Sequence, residues 1–107
     1  MENYKEDLSL AEAQALVDTW VRSLGKGYFS EMTNMVILTE EVGELASVFA
    51  RVYGDQKSKM GDKESIANEL TDVLWVVLCL ANQTGVNLTE SFLENMKKKT
   101  ERDKDRF

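Results

Sequence analysis

Five acidic residues stand where chemistry could be done: Glu40, Glu41 and Glu44 in one apolar run, Glu69 and Asp72 in another. At about 100° per residue, Glu41 falls among Ile37, Leu45, Val48 and Val52, and Glu69 between Val76 and Leu80. Glu44 lies at the edge of the first apolar arc and Asp72 one step outside the second, while Glu40 sits further round toward solvent. Carboxylates at i and i+3 share one edge of a helix, so Glu41 pairs with Glu44 and Glu69 with Asp72. Two helices packed about 8–10 Å apart would set these pairs face to face. Like charges about 4 Å apart repel by about 4 kcal/mol at an effective dielectric of about 20, so the arrangement asks for a cation. An all-oxygen donor set suits a hard one, Mg²⁺ first and Mn²⁺ second. Magnesium leaves positions open for water and substrate phosphates, and the chemistry expected is phosphoryl or nucleotidyl transfer.

The elements that must position these acids are helices. Ser9-Leu10-Ala11-Glu12 reads as a capping box opening a helix that runs to about Leu24 and stops at Gly25. Its apolar face places Trp20 at the centre, as core. Ser30 caps a second helix that reaches Val52 or Tyr53 before Gly54 and carries Glu40, Glu41 and Glu44 near its middle. Gly43, between the acids, suggests close approach by another helix or a bound group. Gly54 to Asp62 reads as an exposed loop, and Asp62 as the cap of a third helix ending at Gly85. From Val73 onward that helix is apolar nearly all round; a single small bundle would leave Trp75 and Cys79 outward, which points to a subunit interface. Asn87-Leu88-Thr89-Glu90 opens a fourth helix, and residues 97–106 then carry six basic against three acidic side chains. The fold expected is all-α, a four-helix bundle with antiparallel neighbours, forming a homo-oligomer.

The 107 residues fit one domain spanning 1–107, with residues 1–8 and the end from about 103 reading as flexible. A net charge of −6 argues against nucleic-acid polymers and anionic membranes as partners. One cysteine permits no disulfide within the chain, and the N-terminus does not read as a signal peptide; both fit the cytoplasm. The longest apolar run, Val73 to Ala81, has nine residues, short of a membrane span. With no histidine, histidine triads, histidine-ligated zinc and Glu-x-x-His di-iron sites are excluded. Lys26, between two glycines, and Lys99 and Arg102, in the basic tail, are candidate phosphate contacts. Asn82, near the side of the helix that carries Trp75, is a candidate substrate hydrogen-bond partner.

Glu-Glu-x-x-Glu, then 24 residues, then Glu-x-x-Asp resembles the signature of the MazG-like nucleoside triphosphate pyrophosphohydrolases, as do Glu-Glu-Val-Gly-Glu-Leu-Ala, Glu-Leu-Thr-Asp-Val-Leu-Trp and Leu-Ala-Asn-Gln-Thr-Gly-Val-Asn-Leu. The resemblance runs from the second helix to the start of the fourth. It implies a bundle that dimerises or tetramerises and hydrolyses a nucleoside triphosphate to monophosphate and pyrophosphate with Mg²⁺. By position it gives Glu41, Glu44, Glu69 and Asp72 as metal ligands, and Glu40 as the catalytic base or a group behind the ligands. Thr100 departs from the asparagine expected in the basic tail. Phosphoribosyl-ATP or a pyrimidine deoxynucleotide is an alternative substrate, and a non-enzymatic helical oligomerisation module with a structural metal is the alternative of another class.

Overall fold

Local signals set the helix ends. In the computed structural model, which describes residues 4–55 and 57–104 (Glu64 by its backbone alone), α1 spans Leu10–Ser23, α2 Glu31–Tyr53, α3 Asp62–Thr84 and α4 Leu88–Asp103. Residues 1–3 and 105–107 of the expected flexible ends lie outside the described residues. Ser9 and Glu12 close the reciprocal capping box of α1, and Ser30 and Asn87 accept from Thr33 and Glu90 N–H at the starts of α2 and α4. Each such cap contributes about 1 kcal/mol by satisfying an orphan donor. Gly85, at φ 73°, ends α3: its N–H donates to Asn82 O, and Val86 N–H reaches back to Ala81 O. Those two bonds form a Schellman turn, which needs the left-handed conformation glycine adopts without strain.

Asp62 departs from expectation. The residue preceding α3 is Gly61, with no side-chain cap. Asp62 instead accepts from Arg51 Nε at 2.8 Å and from Lys59 N–H at 2.6 Å. Both bonds hold its carboxyl below the usual aspartate range, the Arg51 bond most strongly. The pair is largely buried and locks the return from α2 to α3, because leaving either charge there alone would be unfavourable.

The α2–α3 pair forms the main layer, α1 packs on α3, and α4 packs on α1. The core joins Val17 and Val21 of α1 to Leu78 and Cys79 of α3, with Ala13, Tyr28 and Leu88 against them. Cys79 is therefore inside, not outward as the helical wheel suggests, while Leu70 and Leu74 of the same helix are exposed. The reason is length. At 1.5 Å per residue, the 14-residue α1 covers about 21 Å of a 23-residue α3 about 35 Å long. Only the later half of α3 gains a second covering helix. Trp20, expected in the core, is 47 % exposed and meets Trp75 edge to face, ring centroids 5.4 Å apart.

Buried Gln14 ties α1 to the α3–α4 turn through both ends of its amide: Nε2 donates to Val86 O at 2.7 Å, and Oε1 accepts from Leu88 N–H at 2.8 Å. Ala11 N–H donates to Thr89 Oγ1, fixing the start of α4, which buries none of its described residues. Ser65–Thr84 matches a membrane-crossing helix in length and composition. Glu69 and Asp72 in its first half would be costly in hydrocarbon, and its second half supplies the core.

Candidate active site

Antiparallel packing of α2 on α3 brings Glu41 opposite Glu69 and Asp72. Each offers one carboxylate oxygen, and the three oxygens lie within 4.8 Å of one another. Glu41 and Glu69 are half-buried and Asp72 is exposed. Glu69 Oε2 is buried with no hydrogen-bond partner among the described residues. A buried oxygen without a partner is unfavourable, and no described basic side chain is ion-paired with any of the three acids. Burial first, then the charges of Glu44, Asp72, Glu69 and Glu40, raise the Glu41 pKa above its ordinary value. The donors are oxygens only; Cys79 lies in the core. The residues present fit a hard divalent cation.

The raised Glu41 pKa has a measurable consequence. Glu41 binds its proton more tightly folded than unfolded, so its contribution to stability is full below the ordinary glutamate value of 4.5 and is lost as pH rises through the raised one. Thermal melts in EDTA are expected to show this decline upward from about pH 4.5. Magnesium at about 100 times its dissociation constant should add about 2.7 kcal/mol at neutral pH. Melts unchanged by Mg²⁺ across that range would refute a cation site here.

Glu44, one turn beyond Glu41, is exposed and outside the three-oxygen set, although its charge acts on Glu41 more than any other carboxylate's. Glu40 is exposed on the flank of α2. Gly43 has open space where a Cβ would stand, so no helix of the same chain approaches it closely.

A cavity of about 440 Å³ opens among α1, α2 and α3. Ile37 precedes Glu41 by four residues and Val76 follows Asp72 by four, so its walls begin one helical turn from the carboxylates. Trp20, Trp75, Phe29 and Asn34 line the rest, with Lys26 beside them. The segment carrying Lys26 is held from several sides. Tyr28 OH donates to Asp18 Oδ1 at 2.6 Å and accepts from Asn82 Nδ2 at 3.0 Å. Burial, then the Asp18 bond, push the Tyr28 pKa up to about 12, and the same bond lowers that of Asp18. Gln83 Nε2 donates to Phe29 O at 2.6 Å, and Asn34 Nδ2 donates to Gln83 Oε1 at 2.8 Å.

The candidate substrate residues are therefore spread out. Lys26 lines the cavity, which none of the five acids does. Asn82 spends its amide within the chain, donating also to Gln14 O and accepting from Gln14 Nε2. Lys99 lies with Leu88, Phe92 and Met96 on α4, and Arg102 pairs with the neighbouring Asp103 at 2.6 Å. Within one chain these two are grouped with α4's own surface and not with the carboxylates. Asn34 and Gln83 escaped notice in the sequence, though Asn34 carries the signal that marked Glu41: a polar residue on the apolar face of α2, one turn before Leu38 and two before Glu41.

Comparison with known proteins gives the family. Residues 29–107 match the MazG nucleotide pyrophosphohydrolase domain. The chain is 40 % identical over 102 residues to the uncharacterized protein YpjD of Bacillus subtilis (strain 168), covering 94 % of this chain and 92 % of that one. The crystal structure of YPJD from Bacillus subtilis superposes with a TM-score of 0.79 at 38 % identity, over 88 % of this chain and 97 % of the other. A Bacillus-conserved MazG protein, a nucleotide pyrophosphohydrolase, gives 0.77 at 37 % identity over 94 % and 99 %. With four helices and the domain match in agreement, the chain belongs to the MazG nucleotide pyrophosphohydrolase family and is a hydrolase of pyrophosphate bonds.

Proposed function

We propose that this chain hydrolyses a nucleoside triphosphate to the monophosphate and pyrophosphate, with Mg²⁺ as cofactor and Mn²⁺ as a substitute. The observation that carries the cofactor is Glu69 Oε2, buried without a partner beside Glu41 and Asp72. In this reading Glu41, Glu69 and Asp72 hold the metal, and Glu44 joins them by a change of rotamer from its exposed position. When bound, the cation would neutralise polyphosphate charge and stabilise the charge that grows as the anhydride breaks.

The chain's own residues do the rest. Glu40, outside the apolar arc, takes a proton from the attacking water; a positioned base of this kind contributes about 10²–10⁴-fold. Water adds across the α–β anhydride, one oxygen remaining on the nucleotide, and pyrophosphate leaves. Lys26 meets phosphate at the cavity mouth. The base enters the cavity beside the Trp20–Trp75 pair, an apolar space of the size ordinary for small-molecule sites whose walls begin one turn from the acids. A second copy of the chain covers the exposed half of α3, and its α4 is the source from which Lys99 and Arg102 reach the substrate. We place the reaction on free nucleotides in the cytoplasm.

The test is incubation with ribo- and deoxynucleoside triphosphates and phosphoribosyl-ATP in Mg²⁺, with products separated by ion exchange. Equimolar monophosphate and pyrophosphate are expected. Release of diphosphate and orthophosphate would overturn the assigned cleavage, and turnover confined to phosphoribosyl-ATP would replace the substrate.

A further inference from the structure

The amide of Asn34 has one orientation, set by a backbone carbonyl outside its own helix. Phe29 C=O can only accept, so the Gln83 atom 2.6 Å from it is the donor, Nε2. The same Nε2 lies 3.4 Å from Glu31 Oε1, another acceptor, which fixes the choice a second time. Gln83 Oε1 is therefore the atom facing Asn34, and the Asn34 atom 2.8 Å away must be Nδ2. That leaves Oδ1, an acceptor, with no partner among the described residues. Asn34 is only 6 % exposed, and it lines the Trp20–Trp75 cavity. Asn34 thus brings to the wall of a largely apolar cavity a carbonyl oxygen whose direction no rotation of one side chain can reverse.

We infer that Asn34, oriented by Gln83, makes this enzyme prefer nucleobases with an exocyclic amino group over their oxo counterparts. The inference rests on the reading of the cavity as the base site. The cytosine N4 and adenine N6 amino groups donate, whereas O4 of uracil and O6 of hypoxanthine are acceptors. An amino group reaching Oδ1 forms a hydrogen bond against a largely apolar wall. An oxo group there would set two acceptors together, a combination penalised by about 10- to 100-fold. Asn34 is thus a specificity-determining residue and Gln83 a positioning residue that acts through it.

The experiment compares kcat/KM for CTP against UTP and for ATP against ITP in the wild-type enzyme and in Asn34→Leu and Gln83→Leu. Tryptophan fluorescence titrations with cytidine and uridine, in EDTA, provide a second readout free of turnover. The wild type should favour the amino member of each pair by about 10- to 100-fold, and cytidine should quench at lower concentration than uridine. Asn34→Leu removes the acceptor, and Gln83→Leu frees the amide to rotate. Both should bring the ratios to about one through a higher KM for the amino substrate, an effect that mere loss of stability would not produce. Wild-type ratios near one, or a preference that survives Asn34→Leu, would overturn the inference. If neither nucleoside alters the fluorescence and Trp20→Ala leaves KM unchanged, the base-site reading itself falls; equal quenching by both nucleosides removes only the role of Asn34.

Discussion

Replacing Glu41 and Glu69 together by glutamine is expected to remove nucleotide hydrolysis, by about 10³-fold or more, while making the metal-free protein more stable. The first effect follows from losing the cation, whose stabilisation of transition-state charge amounts to several kcal/mol, each 1.4 kcal/mol being a factor of about ten. The second follows from relief of strain already present in the chain. Three carboxylate oxygens stand within 4.8 Å of one another, and Glu69 Oε2 is buried without a partner. At that separation two ionised acids repel by about 3 kcal/mol at an effective dielectric of about 20, less where Asp72 reaches water. A stability gain coupled to loss of activity is what a site kept for function should show. Glu40→Gln, by contrast, should lower kcat by about 10²–10⁴-fold while leaving Mg²⁺ binding intact by calorimetry. Hydrolysis that persists in the double variant would sink the assigned metal site.

The second large effect concerns assembly. Leu70→Glu with Leu74→Glu is expected to turn an oligomer into monomers of lower thermal stability, read by light scattering and melting. The described residues bury no side chain completely, and large apolar groups such as Val36, Val42, Leu70 and Leu74 face outward. The Cα radius of gyration is 16.7 Å, where a compact domain of this length has about 13 Å. Both facts are those of a half-covered layer: α2 and α3 extend past the end of α1, and the uncovered apolar surface fits a second copy. Burying a leucine contributes about 1.5–3 kcal/mol. In a twofold pair each position occurs twice, so even one of the two should shift the dissociation constant by about two to four powers of ten. A wild-type protein that scatters as a monomer at micromolar concentration would refute the assembly.

Most helix boundaries were legible in the sequence because capping is local: Ser9 with Glu12, Ser30 and Asn87 act on backbone within three residues. Asp62 misled for the same reason, since its partner Arg51 lies eleven residues back on another helix. The wheel marked Glu41 and Glu69 as out of place because one helix's periodicity suffices to show an acid on an apolar face. It misassigned Cys79, Trp20 and the outer face of α3 because an apolar stripe does not say which helix covers it, or over what length.

The sequence alone thus determined four helices and the two acid pairs, matters of spacing within one element. Within α2 it also set Glu40 apart from Glu41, by a rotation of about 100°. Only the tertiary structure decided that Glu41, Glu69 and Asp72 converge while Glu44 stays outside, and that a cavity opens one turn away. It alone joined Asn34 to Gln83 across 49 residues of chain. Those outcomes depend on how far α2 slides along α3 and where α1 ends, and a shift of one turn, about 5.4 Å, would change them without altering a single helix's own pattern.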